Sequence, residues 1–236
     1  MTAENGTLHG VGLGPGDPDL ITRRAARLIA STPVIAYPAR EDGTSLARSI
    51  AADLIAPGTR EIPIPLPMRG DREPAQAVYD RAAAEIAGVL QTGQDVVALC
   101  EGDPLFYGSF MYLQARLSPD FPVQITPGVT AFSACAARAA LPLVARNAVL
   151  SVLPAPLPDA DLTRHFQGAD TVVLMKVGRH LGRVRVLLGT LGLADRAVYV
   201  ERATQLGEQV LPLAEAPDPA PYFSMILVTK GADPWL

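Results

Sequence analysis

Lysine is nearly missing from this chain: of 20 basic residues only Lys176 and Lys230 are lysine, and the rest are arginine. The planar fork of arginine suits paired recognition of carboxylates, although biased codon usage produces the same composition. Charge of either sign is scarce, at 19% of residues with a formal net charge of −4. Such a chain sets up no general basic field, which argues against nucleic acid or an anionic membrane surface as partner, so any anionic ligand must be held locally. The two cysteines, Cys100 and Cys135, stand in the apolar contexts VVALC and FSACAA without C-x-x-C spacing. Core thiols are expected there rather than disulfides or a zinc site. No metal-ligand cluster is recognisable, so no metal is expected. The start, MTAENGTLHG, has no basic segment leading into an apolar stretch, and no run approaches the ~18 apolar residues of a membrane span. A cytoplasmic, unprocessed protein is the expectation.

What is abundant is apolar residue, proline and glycine: 49% hydrophobic, 22 prolines and 20 glycines in 236 residues. That is enough to build a sizeable core in one large domain or two small ones. Strands are expected at Leu8 to Gly12, Val34 to Tyr37, Glu61 to Ile64 and Asp95 to Cys100. Helices alternate with them: one after Asp17-Pro18, with Asp17 as N-cap and Ile21, Ala25, Leu28 and Ile29 inward; one over Leu46 to Leu54; and one over Ala75 to Leu90. Alternation of this kind predicts a parallel sheet. The proline-rich stretch Leu117 to Pro127 reads as a boundary, giving domains 1–118 and 119–236. Beyond it an alanine-rich helix is expected from about Thr130 to Ala140, with further helices near Asp161 to Gln167 and Leu181 to Leu191. Strands are expected at Ala148 to Leu153, Thr171 to Met175, Ala197 to Glu201, Gln209 to Pro212 and Phe223 to Thr229. Several connections between these are too short for a crossover helix, so the second sheet should be mixed.

Three loops follow strand ends: GLGPGDP at 12–18, EGDPLFYG at 101–108 and TPGVTAFSA at 126–134. In open α/β sheets, ligands bind beyond the carboxyl ends of strands, where glycine permits close backbone approach and helix starts offer free amides. Taken singly, each loop is better read as an ordinary tight turn. None is a nucleotide fingerprint: G-x-G-x-x-G fails because Pro15 or Asp17 stands where the third glycine belongs, the second strand ends in Tyr37-Pro38 without a ribose-binding acid, and no G-K-[ST] occurs.

Taken in order, GVGLGPGDPDLITRRAARLIASTPVIAYP, EGDPLFYG, PGVTAFSA and ERAT at 201–204 resemble the successive motifs of the tetrapyrrole methylase family, over nearly the whole chain. The resemblance implies two α/β domains in a homodimer. It also implies S-adenosylmethionine folded in a cleft between the domains, with the N-terminal half on the substrate side and the C-terminal half on the cofactor side. Within the family, PLPM at 65–68, Glu101, GDPLFYG and VLMKVG look most like the branch that methylates precorrin-2 at carbon 20 to give precorrin-3A in cobalamin biosynthesis. Another precorrin or cobalt-precorrin methyltransferase, or a non-catalytic cofactor-binding module, is the alternative.

Carried over by position, the resemblance implies cofactor contacts from Pro15, from Glu101, Gly102 and Asp103, and from Phe106 and Tyr107. It implies others from Thr130, Ala131 and Ala203, and from one of Met175, Lys176 and Val177. Methyl transfer from a sulfonium to an electron-rich ring carbon needs alignment and exclusion of water more than an activated nucleophile. The scarcity of histidine agrees, and His9, His165 and His180 are read as structural or surface groups. A carboxylate to accept the proton released is expected among Asp103, Glu101 and Glu201, with Asp103 mainly holding the cofactor and Glu201 equally able to pair with Arg202. A substrate rich in carboxylates needs cations; Arg40, Arg69, Arg72, Arg146, Arg179 and Lys176 are the candidates by loop or strand-end placement.

Overall fold

A computed structural model describes residues 4–66 and 72–231. The chain divides into two compact units, residues 1–130 and 131–236. The first ends twelve residues beyond the expected boundary. The reason is a strand hidden in the proline-rich stretch: β5 (Val123–Thr126) pairs in parallel with β1 (Leu8–Gly12), from Leu8 against Val123 to Val11 against Thr126. Its flanking prolines sit just outside the ladder, where a missing N–H costs nothing, and the Pro122 carbonyl accepts from Leu8 at 2.9 Å.

The first unit is a five-stranded sheet, with β2 (Val34–Ala39), β3 (Arg60–Pro65) and β4 (Val96–Cys100) in the order β3-β2-β4-β1-β5. Every pairing is parallel, as the alternation predicted. β1 and β4 are buried along their whole length, which fits a sheet covered on both faces. One face packs on α3 (Arg72–Leu90) and α4 (Phe110–Leu117), through Ile86, Leu90, Phe110 and Leu113. The other packs on α1 (Arg23–Ser31) and α2 (Leu46–Ile50), through Ala25, Ile29, Ala47 and Ile50. The first helix differs in detail from expectation. Asp17 caps only a 3-10 turn over Pro18–Leu20, and Thr22 starts α1 by accepting from the Ala25 amide at 3.2 Å. A short polar side chain at both places stops each turn's orphan amides from competing for one cap.

The second unit is a mixed sheet, β6 (Leu150–Pro154), β7 (Thr171–Met175), β8 (Ala197–Glu201), β9 (Gln209–Pro212) and β10 (Ser224–Thr229), in the order β6-β7-β10-β8-β9. Only β6 and β7 are parallel; β10 runs antiparallel between β7 and β8, and β9 antiparallel beside β8. Helices α6 (Asp159–Gly168) and α7 (Leu181–Thr190) cover one face with Leu162, Phe166, Leu181 and Leu188. α5 (Ala131–Arg138) covers part of the other with Ala134 and Cys135. Both cysteines are buried and free, and burial pushes the Cys100 thiol up to about 11. Among the described residues no helix is long and apolar enough to cross a membrane, and no group of three His, Cys, Asp or Glu is placed to hold a metal.

Gly10 marks where α4 approaches the sheet: an added Cβ would stand 2.5 Å from the Phe110 ring. Gly10→Ala should lower the unfolding free energy by about 2 kcal/mol, and adding Phe110→Leu should recover part of it. Gly88→Ala, in an open stretch of α3, should raise it by about 0.8 kcal/mol. Urea denaturation of these variants reads all three shifts.

Candidate functional site

The strand order puts β4, β1 and β5 side by side, so the three motif loops leave adjacent parallel strands at the same sheet edge. They do not merely lie near one another. The first and second loops exchange two backbone hydrogen bonds: Gly14 N–H donates to the Gly102 carbonyl at 3.2 Å, and Gly102 N–H donates to Gly14 at 2.8 Å. Both glycines have positive φ, +77° and +66°, which side chains rarely tolerate. The third loop closes on the same atom. A Cβ on Gly128 would stand 2.1 Å from the Gly102 carbonyl oxygen and one on Gly12 2.7 Å from it. Glycine at 12 and 128 is therefore a steric requirement for bringing three backbones together, while glycine at 102 meets the positive φ of its turn.

Asp103 completes the junction. Its Oδ1 accepts from the Leu105 amide at 2.9 Å, folding the second loop on itself, and its Oδ2 accepts from the Gly128 amide at 3.1 Å. The carboxylate expected to hold a cofactor thus ties two loops together. Glu101, next along the chain, is different. Burial raises its carboxyl pKa above the usual range, and the amides of Glu101 and Ala47 only partly oppose that. Pro15 is buried, Phe106 partly buried and Tyr107 44% exposed. The two rings meet edge to face at 5.2 Å, and Tyr107 takes the left-handed backbone, φ 54°. Left-handed backbone on a bulky residue costs on the order of 1–3 kcal/mol and concentrates at functional loops. Thr130 and Ala131, both partly exposed, follow the Gly128 turn, with α5 starting at Ala131.

In the second unit, β7 and β8 both run antiparallel to β10, so their carboxyl ends share a sheet edge with that of β6. Met175, Lys176 and Val177 lie at the first of these ends and Glu201 to Thr204 at the second. Val177 is fully buried in the core against α7, whereas Lys176 is exposed with φ 57° and Met175 is half-buried. Only Met175 and Lys176 of the three thus present side chains outward. Ala203 is buried against Ala134 and Cys135 of α5, leaving its backbone as the group it can offer. Glu201 is 3% exposed and takes a 2.6 Å hydrogen bond from the Tyr199 hydroxyl, with Arg202 Nη1 3.5 Å away. Burial and the Glu201 carboxylate raise the Tyr199 pKa.

The cationic candidates scatter. Arg40 is exposed just past β2, at the edge shared by the three loops, and Arg179 is exposed after β7. Arg146 does not join them: it lies between Leu143, whose carbonyl accepts from Thr171, and Val149, whose amide donates to Asp170, at the start of β7. Arg69 and much of PLPM lie outside the described residues, and Arg72 opens α3 without its side chain being described. The histidines lie outside the three loops. His9 Nε2 lies 3.3 Å from Asp95, His165 ends α6, and burial with Arg179 and Arg183 nearby lowers the His180 pKa. Sequence reasoning missed Glu208, which holds the Thr204 amide at 2.6 Å and pairs with Arg138 at 2.6 Å. Its only sequence signal was an acid four residues beyond ERAT.

The profile of the family described as Tetrapyrrole (Corrin/Porphyrin) Methylases matches residues 7–217. A Sinorhizobium protein named precorrin-2 C(20)-methyltransferase is 41% identical over 237 residues, covering 97% of each chain. The Mycobacterium tuberculosis H37Rv protein named cobalamin biosynthesis protein CobIJ is 44% identical over 96% of this chain but only 46% of its own, so the chain spans about half the length of that relative. Among solved structures, uroporphyrin-III C-methyl transferase from Thermus thermophilus complexed with S-adenyl homocysteine superposes with a TM-score of 0.67 at 25% identity, over 95% of this chain and 92% of the other.

Gly128→Ala should destabilise the first unit by about 3 kcal/mol, since the clash is with a backbone carbonyl that no rotamer change relieves; chemical denaturation followed by tryptophan-independent far-UV signal measures it. Because the Glu101 carboxyl binds its proton more tightly folded than unfolded, stability falls as pH rises from the unfolded value near 4.5 through the folded one. Glu101→Gln should flatten that fall, so its thermal midpoint exceeds the parent's by a few degrees at pH 8 and matches it at pH 4.

Proposed function

This chain belongs to the tetrapyrrole (corrin/porphyrin) methylase family, and on that premise we propose that it methylates carbon 20 of precorrin-2 in cobalamin biosynthesis, with S-adenosylmethionine as donor. The observation that carries the reaction class is the junction of three loops on the Gly102 carbonyl, which makes a rigid rim of backbone groups at a sheet edge. The choice of substrate follows the name of the Sinorhizobium relative, aligned over 97% of each chain.

The residues present fit such a donor: Gly102, where an added Cβ would meet nothing within 4 Å, lets a flat ligand approach the backbone, and Phe106 and Tyr107 offer aromatic surface. When bound, S-adenosylmethionine supplies an electrophilic methyl on a sulfonium. The protein's part is positional. Asp103 fixes the second loop against the third; within the second unit, the backbone of Ala203 and the side chains of Met175 and Lys176 are the groups offered to a ligand.

The substrate's ring carbon gains a bond to the methyl carbon, the carbon–sulfur bond breaks, and a proton leaves carbon 20. Of the three candidate carboxylates, Glu101 accepts that proton. Burial raises its carboxyl pKa above the usual range, while both Asp103 oxygens tie two loops together and Glu201 is held by Tyr199 and Arg202. Arg40 and Arg179 pair with substrate carboxylates, and the protein acts as a homodimer in the cytoplasm.

Incubation with methyl-labelled donor and either metal-free or cobalt-containing precorrin-2, followed by NMR location of the label, tests the reading. Label at carbon 20 of the metal-free ring is expected, with turnover of Glu101→Gln reduced about 100-fold. Label at another carbon, or none with either substrate, would defeat it.

A further inference from the structure

The turn that follows β8 is built in an unfavourable backbone conformation. Arg202 has φ 48° and Thr204 φ 65°, the left-handed region that a β-branched residue strongly resists. Such a turn persists only if its surroundings over-determine it. Arg202 N–H donates to the Phe223 carbonyl at 2.8 Å and Gln205 N–H to the Arg202 carbonyl at 2.8 Å. Between them the Thr204 amide points away from any ladder and is taken at 2.6 Å by Glu208 Oε2. The other oxygen of the same carboxylate receives Arg138 Nε at 2.6 Å. Arg138 is the last residue of α5, the helix that begins at Ala131. The Glu208 side chain is 17% exposed, so this two-sided bond is partly shielded from water.

We infer that Glu208 is a positioning residue for the methyl donor: by joining the Thr204 amide to Arg138, it locks the turn carrying Ala203 to the helix carrying Ala131. It touches no reacting atom. Ala203 is already packed on Ala134 and Cys135, so its methyl fixes the depth of the turn, while Glu208 fixes its twist and hence where the Ala203 backbone groups point. Without that lock the turn relaxes from its left-handed form, and the donor must re-order it on binding. The cost then falls on donor affinity, with the rate of the saturated enzyme preserved. This inference rests on the proposal that Ala203 and Ala131 contact the donor.

The test compares Glu208→Ala and Glu208→Gln with the parent protein. Calorimetry gives the Kd for S-adenosylhomocysteine, steady-state assays give KM for S-adenosylmethionine and kcat, and hydrogen exchange reports the Thr204 amide. Glu208→Ala should raise Kd and KM tenfold or more with kcat within twofold, and should speed exchange at Thr204. Glu208→Gln keeps one oxygen for that amide and should restore Kd to within threefold of the parent. The inference is overturned if the alanine variant binds as tightly as the parent, if the glutamine variant binds as poorly as the alanine one, or if kcat falls in step with the thermal midpoint. If the parent itself does not bind S-adenosylhomocysteine, it is the assignment of the donor that fails.

Discussion

The Gly102 carbonyl oxygen is the point on which the first unit's functional edge depends. The first and third loops both close on it, the first through Gly12 and Gly14 and the third through Gly128, residues with no side chain. A hydrogen-bonded crossing of this kind removes conformational freedom from three loops at once, where separate turns would each have to be ordered on ligand binding. Asp103 adds a charged acceptor for two amides, which in a partly buried loop is a stronger tie than a neutral bond.

Rigidity at that edge divides labour among the carboxylates. Asp103 has both oxygens engaged by its own protein, Glu201 is buried beside a tyrosine hydroxyl and an arginine, and burial raises the Glu101 pKa. Three acids that look alike in sequence thus acquire different chemistry from burial and hydrogen bonding. A similar division holds among the cations. Arg48 forks onto Glu61 at 3.0 and 3.1 Å, with Tyr37 also donating to Glu61 at 2.7 Å, and the pair lowers the Glu61 pKa. That arginine serves the fold beside β2, while Arg40, six residues after Val34 begins the same strand, is exposed at the strand's end.

The second unit reaches the same end by different means. Its two turns rest on left-handed Lys176, Arg202 and Thr204, with Gly178 and Gly207 also at positive φ, and are held by ladder ends and by Glu208. Left-handed backbone at residues that carry side chains requires supporting bonds, and the polar residues around ERAT supply them. This makes the second unit's turns more dependent on side-chain identity than the loops of the first.

Periodicity and turn chemistry sufficed for most of the elements. β1, β7, β8 and β9 run between the expected residues because each is a short buried or alternating apolar run bounded by glycine, proline or charge. The mixed second sheet was legible in the shortness of its connections. β5 was not, because prolines on both sides disguise a four-residue strand whose only reason to form is the free edge of β1. α4 escaped as well, starting within the aromatic run that follows the second loop. The order β3-β2-β4-β1-β5 is what places three separate motifs on neighbouring strands, and nothing local in any motif encodes that order. Likewise the residue types at Asp103, Val177 and Glu208 were plain from the start. Whether each faces a ligand, the core or a strained amide depends on partners 25 residues away for Asp103 and 70 for Glu208, which only packing brings together.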